Sequence, residues 1–432
     1  MTAAGIVSFE AARRLVERHA AGASSGEAET VDLLAALGRV LAEEIVADRD
    51  FPPFARATRD GYAVRAADVA EVPARLEVVG EVKAGDWPEA DVCSVGHGQA
   101  VGIMTGASLP AGADAVVMVE HTSLSGRTVE VRRGVSRGEN FVPRGAEAGA
   151  GQLLLDKGRR LDHSGIAIAA SVGKSRLQVF RKPRVAVLST GDELVEIDAI
   201  PGAAQIRNSN SYSLAAQVQN AGGEAVRLAV APDEPEGLRA LIEQGLECDL
   251  LLLAGGVSMG KYDLVEQVLT ELNAEFYFTG AEIQPGRPVV FGSCGLGEVS
   301  LGHADGEARG RTRAGAPAVH RRYFFGLPGN PVSTMVTFEL FVRLMIEALA
   351  GMTLQRLIFL RARLKSEIRT KTGLTRFLPA VLSGEFENAG VELARWQGSG
   401  DIAALARANC YVVVPPDRDR IQAGELVSLL KF

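Results

Sequence analysis

The chain has 432 residues, enough for about three domains, and its 47% hydrophobic and 23% charged residues are an ordinary globular balance. Its 46 basic and 53 acidic side chains give a formal net charge of −7, which excludes a surface built mainly to bind nucleic acid. The chain opens without an apolar core of signal-peptide length and contains no run of about 18 apolar residues. The sequence therefore predicts a cytoplasmic protein that does not span a membrane.

Four widely spaced cysteines form no CxxC pair and no other metal-ligand spacing. They are Cys93, Cys248, Cys294 and Cys410. This spacing favours buried or free thiols in a reducing compartment over disulfides.

The first part of the chain predicts helices. Residues 8–19 carry apolar side chains at helical spacing, with Ser8 as the N-cap, and residues 30–47 repeat the pattern. A further helix is predicted over residues 161–173, where His163 is a capping or surface residue. Residues 1–50 and 151–180 are assigned to a helical linking domain.

Residues 51–150 predict an inserted β-rich domain, because short apolar runs there alternate with glycine and proline. Asp60 lies in a turn before a short strand, and another strand ends at Thr105. Each of these two residues is either a structural turn residue or a group that faces a ligand. Arg144 and Glu147 predict an exposed ion pair, which contributes little to stability.

Residues 181–352 predict a parallel α/β domain, because strand and helix patterns alternate there. Leu250–Ala254 is a continuous apolar run, typical of a strand buried on both faces. Strands are also predicted at residues 185–188, before Asp233, and before Pro328. Loops at the carboxyl ends of parallel strands converge on one crevice, which is where a ligand is expected.

The converging loops combine acids with glycine turns, the arrangement needed to hold Mg²⁺ against a phosphate. The residues concerned are Glu193, Asp233, Gly255, Gly256, Ser258, Asp263, Gly329, Asn330 and Ser333. Asp263 has a second interpretation, since an acid in the first turn of a helix also favours the helix dipole. This block contains neither GxGxxG nor GxxxxGK[ST], which disfavours a Rossmann dinucleotide site and a P-loop.

Residues 353–432 predict a C-terminal β-barrel of short antiparallel strands. Periodicity alone places Trp396 in packing and Arg376 on the surface.

Seven motifs, taken in order, resemble the MoeA/gephyrin-E family of molybdopterin molybdenumtransferases. They are RDGYAV (59–64), IMTGA (103–107), STGDELVE (189–196), GGVSMGKYD (255–263), QPGRP (284–288), GLPGNPVS (326–333) and QGSGDI (397–402). They span essentially the whole chain, and GGVS together with LPGNPVS in one βα block is the specific part of the match.

The resemblance implies an α/β multidomain fold with a central MogA-like parallel sheet, the inserted β domain, the helical linking segment and the C-terminal barrel. It also implies an elongated homodimer. The implied reaction converts adenylylated molybdopterin and molybdate to molybdenum cofactor and AMP with Mg²⁺. Implied partners are a molybdopterin adenylyltransferase and molybdoenzyme acceptors, with no nucleic acid and no membrane.

The resemblance also implies roles for individual residues. Metal and phosphate would be handled by Glu193, Asp233 and Asp263, although Glu234 competes with Asp233 for the aligned position. Molybdate or the pterin phosphate would be held by Ser258, Arg287 and Ser333, next to the binding residues Gly255, Gly256, Pro328, Gly329, Asn330 and Pro331. Asp60 and Thr105 would face the crevice of a neighbouring subunit, and Arg376 and Ser399 would guide the oxyanion.

The sequence departs from the family pattern in ways that leave alternatives open. Gln284 stands where a lysine is common, which weakens the local positive field, and Lys261 lies near the metal acid. Residues 293–322 form an unusually long connection with five arginines, either a solvated loop or an anion-attracting segment. The alternatives are insertion of tungsten and a non-catalytic molybdopterin carrier. A nucleotide-hydrolysing enzyme is a weaker alternative, because it leaves the flanking β domains unexplained.

Overall fold

A computed structural model describes residues 5–23, 25–86, 94–256, 264–295 and 321–432. Up to residue 180, short 3₁₀ turns occur at Leu33–Ala36, Ala66–Val69 and Val119–His121. The helices and strands of this part are β1 (Ile6–Val7), α1 (Phe9–Ala21), β2 (Ala28–Asp32), β3 (Ile45–Val46), β4 (Arg56–Ala57), β5 (Gly61–Val64), β6 (Ala74–Val82), β7 (Gln99–Ile103), β8 (Ala115–Met118), β9 (Thr122–Ser125), β10 (Thr128–Val131), β11 (Phe141–Val142), β12 (Leu153–Leu155), α2 (His163–Ser171) and β13 (Arg176–Phe180).

Helix α1 is confirmed with its predicted cap, since the Ser8 hydroxyl accepts a hydrogen bond from the backbone N–H of Ala11 at 3.2 Å. Its buried face includes Phe9 and Val16, which belong to the same hydrophobic cluster as side chains of the central α/β sheet. Helix α2 is also confirmed, and Asp162 caps it, while His163 is exposed.

The second predicted helix, residues 30–47, is wrong. Strand β2 pairs antiparallel with β13, and β3 pairs with β12. Leu41 and Ile45 are buried against residues of this distant segment, among them Leu177. The apolar residues that suggested a helix therefore face partners more than a hundred positions away, and pairing with those partners overrides the local periodicity.

The inserted domain is a six-stranded sheet in the order β8-β5-β7-β6-β10-β9. Its strands alternate between two apolar clusters, as Ala100 and Val101 of β7 show by lying in different clusters. The predicted pair between Arg144 and Glu147 is wrong. Arg144 pairs with Asp50 at 2.7 Å and Glu147 with Arg56 at 3.0 Å, because this loop folds back onto the entry to the domain.

The central domain is built on a mixed sheet whose strands lie in the order Glu224–Arg227, Arg184–Ser189, Leu250–Ala254, Arg321–Leu327, Val290–Gly295 and Ala274–Phe278, and the first four of these strands are parallel. Its elements are β14 (Arg184–Ser189), β15 (Leu194–Val195), β16 (Ile206–Arg207), α3 (Ser209–Ala221), β17 (Glu224–Arg227), α4 (Pro235–Leu246), β18 (Leu250–Ala254), α5 (Leu264–Glu271), β19 (Ala274–Phe278), β20 (Gly280–Ala281), β21 (Ile283–Gln284), β22 (Val290–Gly295), β23 (Arg321–Leu327), α6 (Pro331–Thr337), a π-helical stretch at Phe338–Val342, and α7 (Arg343–Leu349).

Strand β18 is buried on both faces, as predicted. Leu250 and Leu252 lie in one apolar cluster, and Leu251 and Leu253 lie in the other. Strand β17 is shorter than expected, because it ends at Arg227 and only an isolated bridge between Ala231 and Thr190 continues it.

The first and last residues of the long connection predicted over residues 293–322 belong to two paired antiparallel strands. Strands β22 and β23 pair as far as Gly295 and Arg321, and residues 296–320 lie outside the described residues. Arg321 donates to Tyr277 at 3.0 Å and pairs with Glu275, while Arg322 lies 3.6 Å from Asp249. Both arginines begin the seven-residue β23, about 20 Å from the end where ligands are expected.

The last domain is a closed five-stranded barrel, as predicted, because strand Thr375–Ser383 pairs with both Gly390–Leu393 and Cys410–Val414. The barrel is not antiparallel throughout, since Leu360–Leu364 and Gly390–Leu393 pair parallel. Its elements are β24 (Leu360–Leu364), β25 (Ile368–Arg369), β26 (Thr375–Ser383), a 3₁₀ turn at Phe386–Asn388, β27 (Gly390–Leu393), α8 (Ile402–Leu405), β28 (Cys410–Val414), β29 (Arg420–Ile421) and β30 (Leu426–Lys431). Strand β21 of the central domain adds to β26 from outside the barrel.

Two sequence predictions concern properties of the whole chain. Within the described ranges, no helix is both long and apolar enough to cross a membrane. Cys248, Cys294 and Cys410 are buried and free, which confirms the prediction for these three thiols, and Cys93 lies outside the described residues.

Candidate active site

The carboxyl ends of the parallel strands border one cleft of about 400 Å³. The loops after β14, β18 and β23 and the segment before α4 all contribute to it. Its described lining residues are Thr190, Gly191, Glu193, Leu194, Ile206, Arg207, Asn208, Ser209, Asn210, Asp233, Ala254, Gly255, Gly256, Pro288, Pro328, Gly329, Asn330 and Pro331. Helix α3 also begins here, and the positive end of its dipole favours an anion in the cleft.

Eight residues singled out from the sequence meet in this cleft. They are Glu193, Asp233, Gly255, Gly256, Pro328, Gly329, Asn330 and Pro331. Ser258 and Asp263, together with Lys261, lie outside the described residues.

The glycine turn after β18 allows three loops to pack closely. Gly255 has φ +95°, and a Cβ there would lie 2.8 Å from the carbonyl oxygen of Thr190. Its own N–H donates to the carbonyl oxygen of Leu327 at 3.1 Å and is therefore already bonded within the protein. The N–H of Gly256 has no backbone acceptor among the described residues.

Two carboxylates line the cleft. Asp233 accepts a hydrogen bond from the Thr190 hydroxyl at 3.0 Å, and its N–H donates to Asp192 at 3.2 Å, so the loops after β14 and before α4 are joined. Glu193 is exposed in the same cleft. In the part of the chain that the structure describes, no basic side chain pairs with Glu193 or Asp233. Glu234 does not line the cleft but lies directly before α4.

Sequence reasoning missed two asparagines at the start of α3. Asn208 caps the helix by accepting from the N–H of Ser211 at 3.2 Å, and it also accepts from the hydroxyl of Ser189 at 3.1 Å. Asn210 donates through Nδ2 to the carbonyl oxygen of Gly329 at 2.7 Å. The polar run RNSNS marks this helix start, and the parallel topology places it at the edge of the cleft.

Ser333 and Arg287 are not lining residues of the cleft. Ser333 lies in the first turn of α6 and is only 4% exposed. Arg287 is exposed and directly precedes Pro288, which does line the cleft.

Arg376 and Ser399 connect the barrel to the neighbourhood of the cleft without lining it. Arg376 is buried, contrary to the periodicity, and its Nε and Nη2 donate to the carbonyl oxygen of Lys371 at 3.2 and 2.7 Å. Burial lowers the pKa of its guanidinium. The paired strands β21 and β26 place Gln284 opposite Arg376. The carbonyl oxygen of Ser399 accepts from the N–H of Val332 in α6 at 2.9 Å.

Comparisons with known proteins agree with this architecture. Three family models match consecutive parts of the chain: MoeA N-terminal region (domain I and II) at residues 7–173, probable molybdopterin binding domain at 186–348, and MoeA C-terminal region (domain IV) at 361–432. The chain belongs to the MoeA family.

Full-length members of the MoeA family are similar throughout. A molybdopterin molybdenumtransferase from Nostoc sp. is 34% identical over 95% of this chain and 90% of that protein. One from Staphylococcus aureus is 31% identical over 98% and 94%. A crystal structure of a molybdopterin biosynthesis MoeA protein from Pyrococcus horikoshii OT3 superposes with a TM-score of 0.76 at 28% identity, covering 99% of this chain and 100% of that chain.

Asp60 and Thr105, which the family resemblance predicts to be active-site residues, lie in the inserted domain. The Asp60 carboxylate accepts from the N–H of Thr105 at 2.6 Å and from its hydroxyl at 2.8 Å. The backbone donor, and then the hydroxyl, hold the pKa of Asp60 below its usual value. Both residues are exposed, and neither lines the cleft of its own chain.

Proposed function

We propose that this MoeA-family chain inserts molybdenum into adenylylated molybdopterin, consuming molybdate and releasing AMP. The observation that carries the proposal is the cleft, in which Glu193 and Asp233 stand beside Gly256 and the Pro328–Pro331 loop. A pyrophosphate needs a cation and backbone donors, and this cleft offers carboxylates for a cation together with N–H groups at a glycine turn and a helix start. The full-length similarity to named molybdenumtransferases supports the same reaction.

The residues fit a bound Mg²⁺. Mg²⁺ takes carboxylate oxygens together with substrate phosphates, and Glu193 and Asp233 lack a basic partner within the described residues. Within the described residues, no three or more His, Cys, Asp or Glu side chains lie close enough together to hold a metal ion. Phosphate oxygens, water or Asp263 would therefore complete the coordination of a Mg²⁺ bound by Glu193 and Asp233. When bound, the ion neutralises the pyrophosphate and activates it for cleavage.

The chain's own groups bind and orient the substrate. Thr190 holds the Asp233 carboxylate in place, and Asn210 fixes the Gly329 backbone at the cleft edge. Arg376 and Ser399 are proposed to guide molybdate, and Arg287 is proposed to hold molybdate or the pterin phosphate, because guanidinium and hydroxyl groups donate hydrogen bonds to oxyanions. The buried position of Arg376 keeps its guanidinium fixed by the Lys371 carbonyl.

We further propose that the active unit is a homodimer. Asp60 and Thr105 are matched to the active site but do not line the cleft of their own chain, so a second copy would supply them. At a Mg²⁺ concentration too low to support Asp233→Asn, mixing an Asp60→Asn protein with an Asp233→Asn protein is expected to give more activity than either protein alone. Light scattering should give twice the chain mass, and a monomer that is fully active would disprove this arrangement.

The test of the reaction is AMP release from adenylylated molybdopterin, with and without Mg²⁺, in the presence of molybdate, tungstate or neither. Release that depends on molybdate is expected. AMP release that is faster with tungstate than with molybdate would show that the chain inserts tungsten. Tight binding of adenylylated molybdopterin without AMP release would show that the chain is a carrier. An adenylyltransferase is the expected source of the substrate, and molybdoenzymes are the expected acceptors of the product.

A further inference from the structure

Arg207 is the single basic residue among the described residues that line the cleft. It lies at the end of the two-residue strand β16, directly before the Asn208 cap of helix α3, and its side chain is exposed. Neither the predicted site nor the roles implied by the family resemblance include it.

The Arg207 guanidinium has no acidic partner in the described residues, although an acid is close along the backbone. Strand β16 pairs with β15, and the N–H of Ile206 donates to the carbonyl oxygen of Glu193 at 2.8 Å. No ion pair within 4.0 Å forms between Arg207 and the carboxylate of Glu193 or Asp233. The nearby Arg227 differs, because it lies 3.8 Å from Glu196 and also 3.8 Å from the centre of the Tyr212 ring.

The acidic side chains that line the cleft outnumber its one basic side chain, so the Arg207 guanidinium supplies positive charge that a bound anion needs. The two carboxylates and one arginine leave the described lining with a formal charge of −1. A phosphate ester bound there needs positive charge, and a guanidinium provides two parallel N–H donors to phosphate oxygens. Helix α3, which begins two residues later, contributes its positive end to the same region.

We infer that Arg207 binds the phosphate of the AMP half of the adenylylated substrate and so determines which phosphate esters the cleft accepts. This inference rests on the proposed function. Pro328 on the wall of the cleft is buried, whereas Arg207 is exposed. A nucleotide that enters the cleft from solvent can therefore reach the exposed guanidinium.

The experiment compares AMP with adenosine, which lacks the phosphate, by calorimetric titration of the full chain in the presence of Mg²⁺. Arg207→Ala is expected to weaken AMP binding about tenfold or more, since a charge-assisted hydrogen bond is lost. Adenosine binding is expected to stay unchanged. Arg207→Lys keeps the charge without the paired donors and should retain part of the AMP affinity. Arg361→Ala is the matched control, because Arg361 is an exposed arginine on the barrel strand β24.

Two results would overturn the inference alone: AMP binding as tight in Arg207→Ala as in the unchanged protein, or an equal loss for AMP and adenosine. An unchanged protein that neither binds AMP nor releases it with molybdate would overturn the proposed function as well. Because Arg207 is exposed, a folding defect is not expected. Melting temperatures of Arg207→Ala and Arg207→Lys that equal the melting temperature of the unchanged protein would check this directly.

Discussion

The side-chain amide of Asn210 donates a hydrogen bond to the carbonyl oxygen of Gly329 at 2.7 Å. This contact joins the first turn of α3 to the loop after β23, two segments separated by more than a hundred residues. The Oδ1 atom of Asn210 is buried and has no partner among the described residues. The Gly329 backbone at the cleft edge is therefore positioned by one side chain from another element.

Replacing Asn210 with Ala should lower the free energy of unfolding by about 1 kcal/mol, the net worth of one hydrogen bond, and should also lower AMP release. Chemical unfolding and the release assay measure the two effects. Asn220→Ala, at an exposed position near the end of the same helix, is the control and should change neither quantity. Full activity in Asn210→Ala would show that the Gly329 loop is positioned without this contact.

Asp233→Asn should raise the Mg²⁺ concentration needed for half-maximal AMP release by about tenfold or more, because a carboxylate ligand becomes a neutral amide. The amide oxygen can still accept from the Thr190 hydroxyl, so the loop should keep its shape. Glu234→Gln is the matched control at the adjacent acid, which does not line the cleft. The opposite pattern, with Glu234→Gln impaired and Asp233→Asn normal, would assign the metal to Glu234.

Thr105→Val should raise the pKa of Asp60, although not to its ordinary value, because the larger cause, the backbone N–H of residue 105, remains. The depressed pKa means that Asp60 stabilises the fold above its ordinary titration range, and this contribution is lost as the pH falls through the folded-state value. Carbon-13 titration of the aspartate carboxyls measures the change, with Asp60→Asn assigning the signal.

The signal of Asp50 is the internal reference for that titration, since its pKa is lowered by the N–H of Ala150 and by Arg144, far from the substitution in sequence. An Asp60 signal that stays in place would mean that the Thr105 hydroxyl adds nothing to the backbone donor.

Leu252→Ala in the centre of β18 should lower the free energy of unfolding by about 2–5 kcal/mol, because the side chain is fully buried and leaves a cavity. The same truncation at Leu124 on β9, where the side chain is 56% exposed, should change it by no more than about 0.5 kcal/mol. Urea unfolding of both variants measures the difference. Similar losses at the two positions would contradict the two-faced burial of β18.

The central sheet and the barrel could be predicted because many of their strands are short apolar runs that can be recognised in the local sequence. Leu250–Ala254 is the clearest case, since both of its faces are covered. The helix predicted over residues 30–47 was wrong because the structure of this segment depends on distant partners and not on its local sequence. Strand β2 has no local strand signature and is defined by its pairing with Arg176–Phe180. A pattern confined to a short window cannot report a partner that far along the chain.

The candidate site, too, could be predicted only where its residues follow a recognisable local pattern. Glu193 and Asp233 were found because they lie in strand-end loops that the parallel topology gathers together. Arg207 and Asn210 were missed because a capped helix start looks the same whether or not it faces a ligand. The burial of Arg376 was also missed, because it depends on how the barrel contacts β21, a tertiary contact without a local signal.

The addition of β21 to β26 connects the barrel to the segment that forms one wall of the cleft. Gln284 is bound into the edge of the barrel, and four residues later Pro288 lines the cleft. Truncation of the chain after α7 would expose the hydrogen-bonding edge of β21 and release the segment that carries Arg287. Shortened versions of this chain should therefore lose the shape of the cleft even if the central sheet still folds, and a substitution inside the barrel can act on the cleft from a distance.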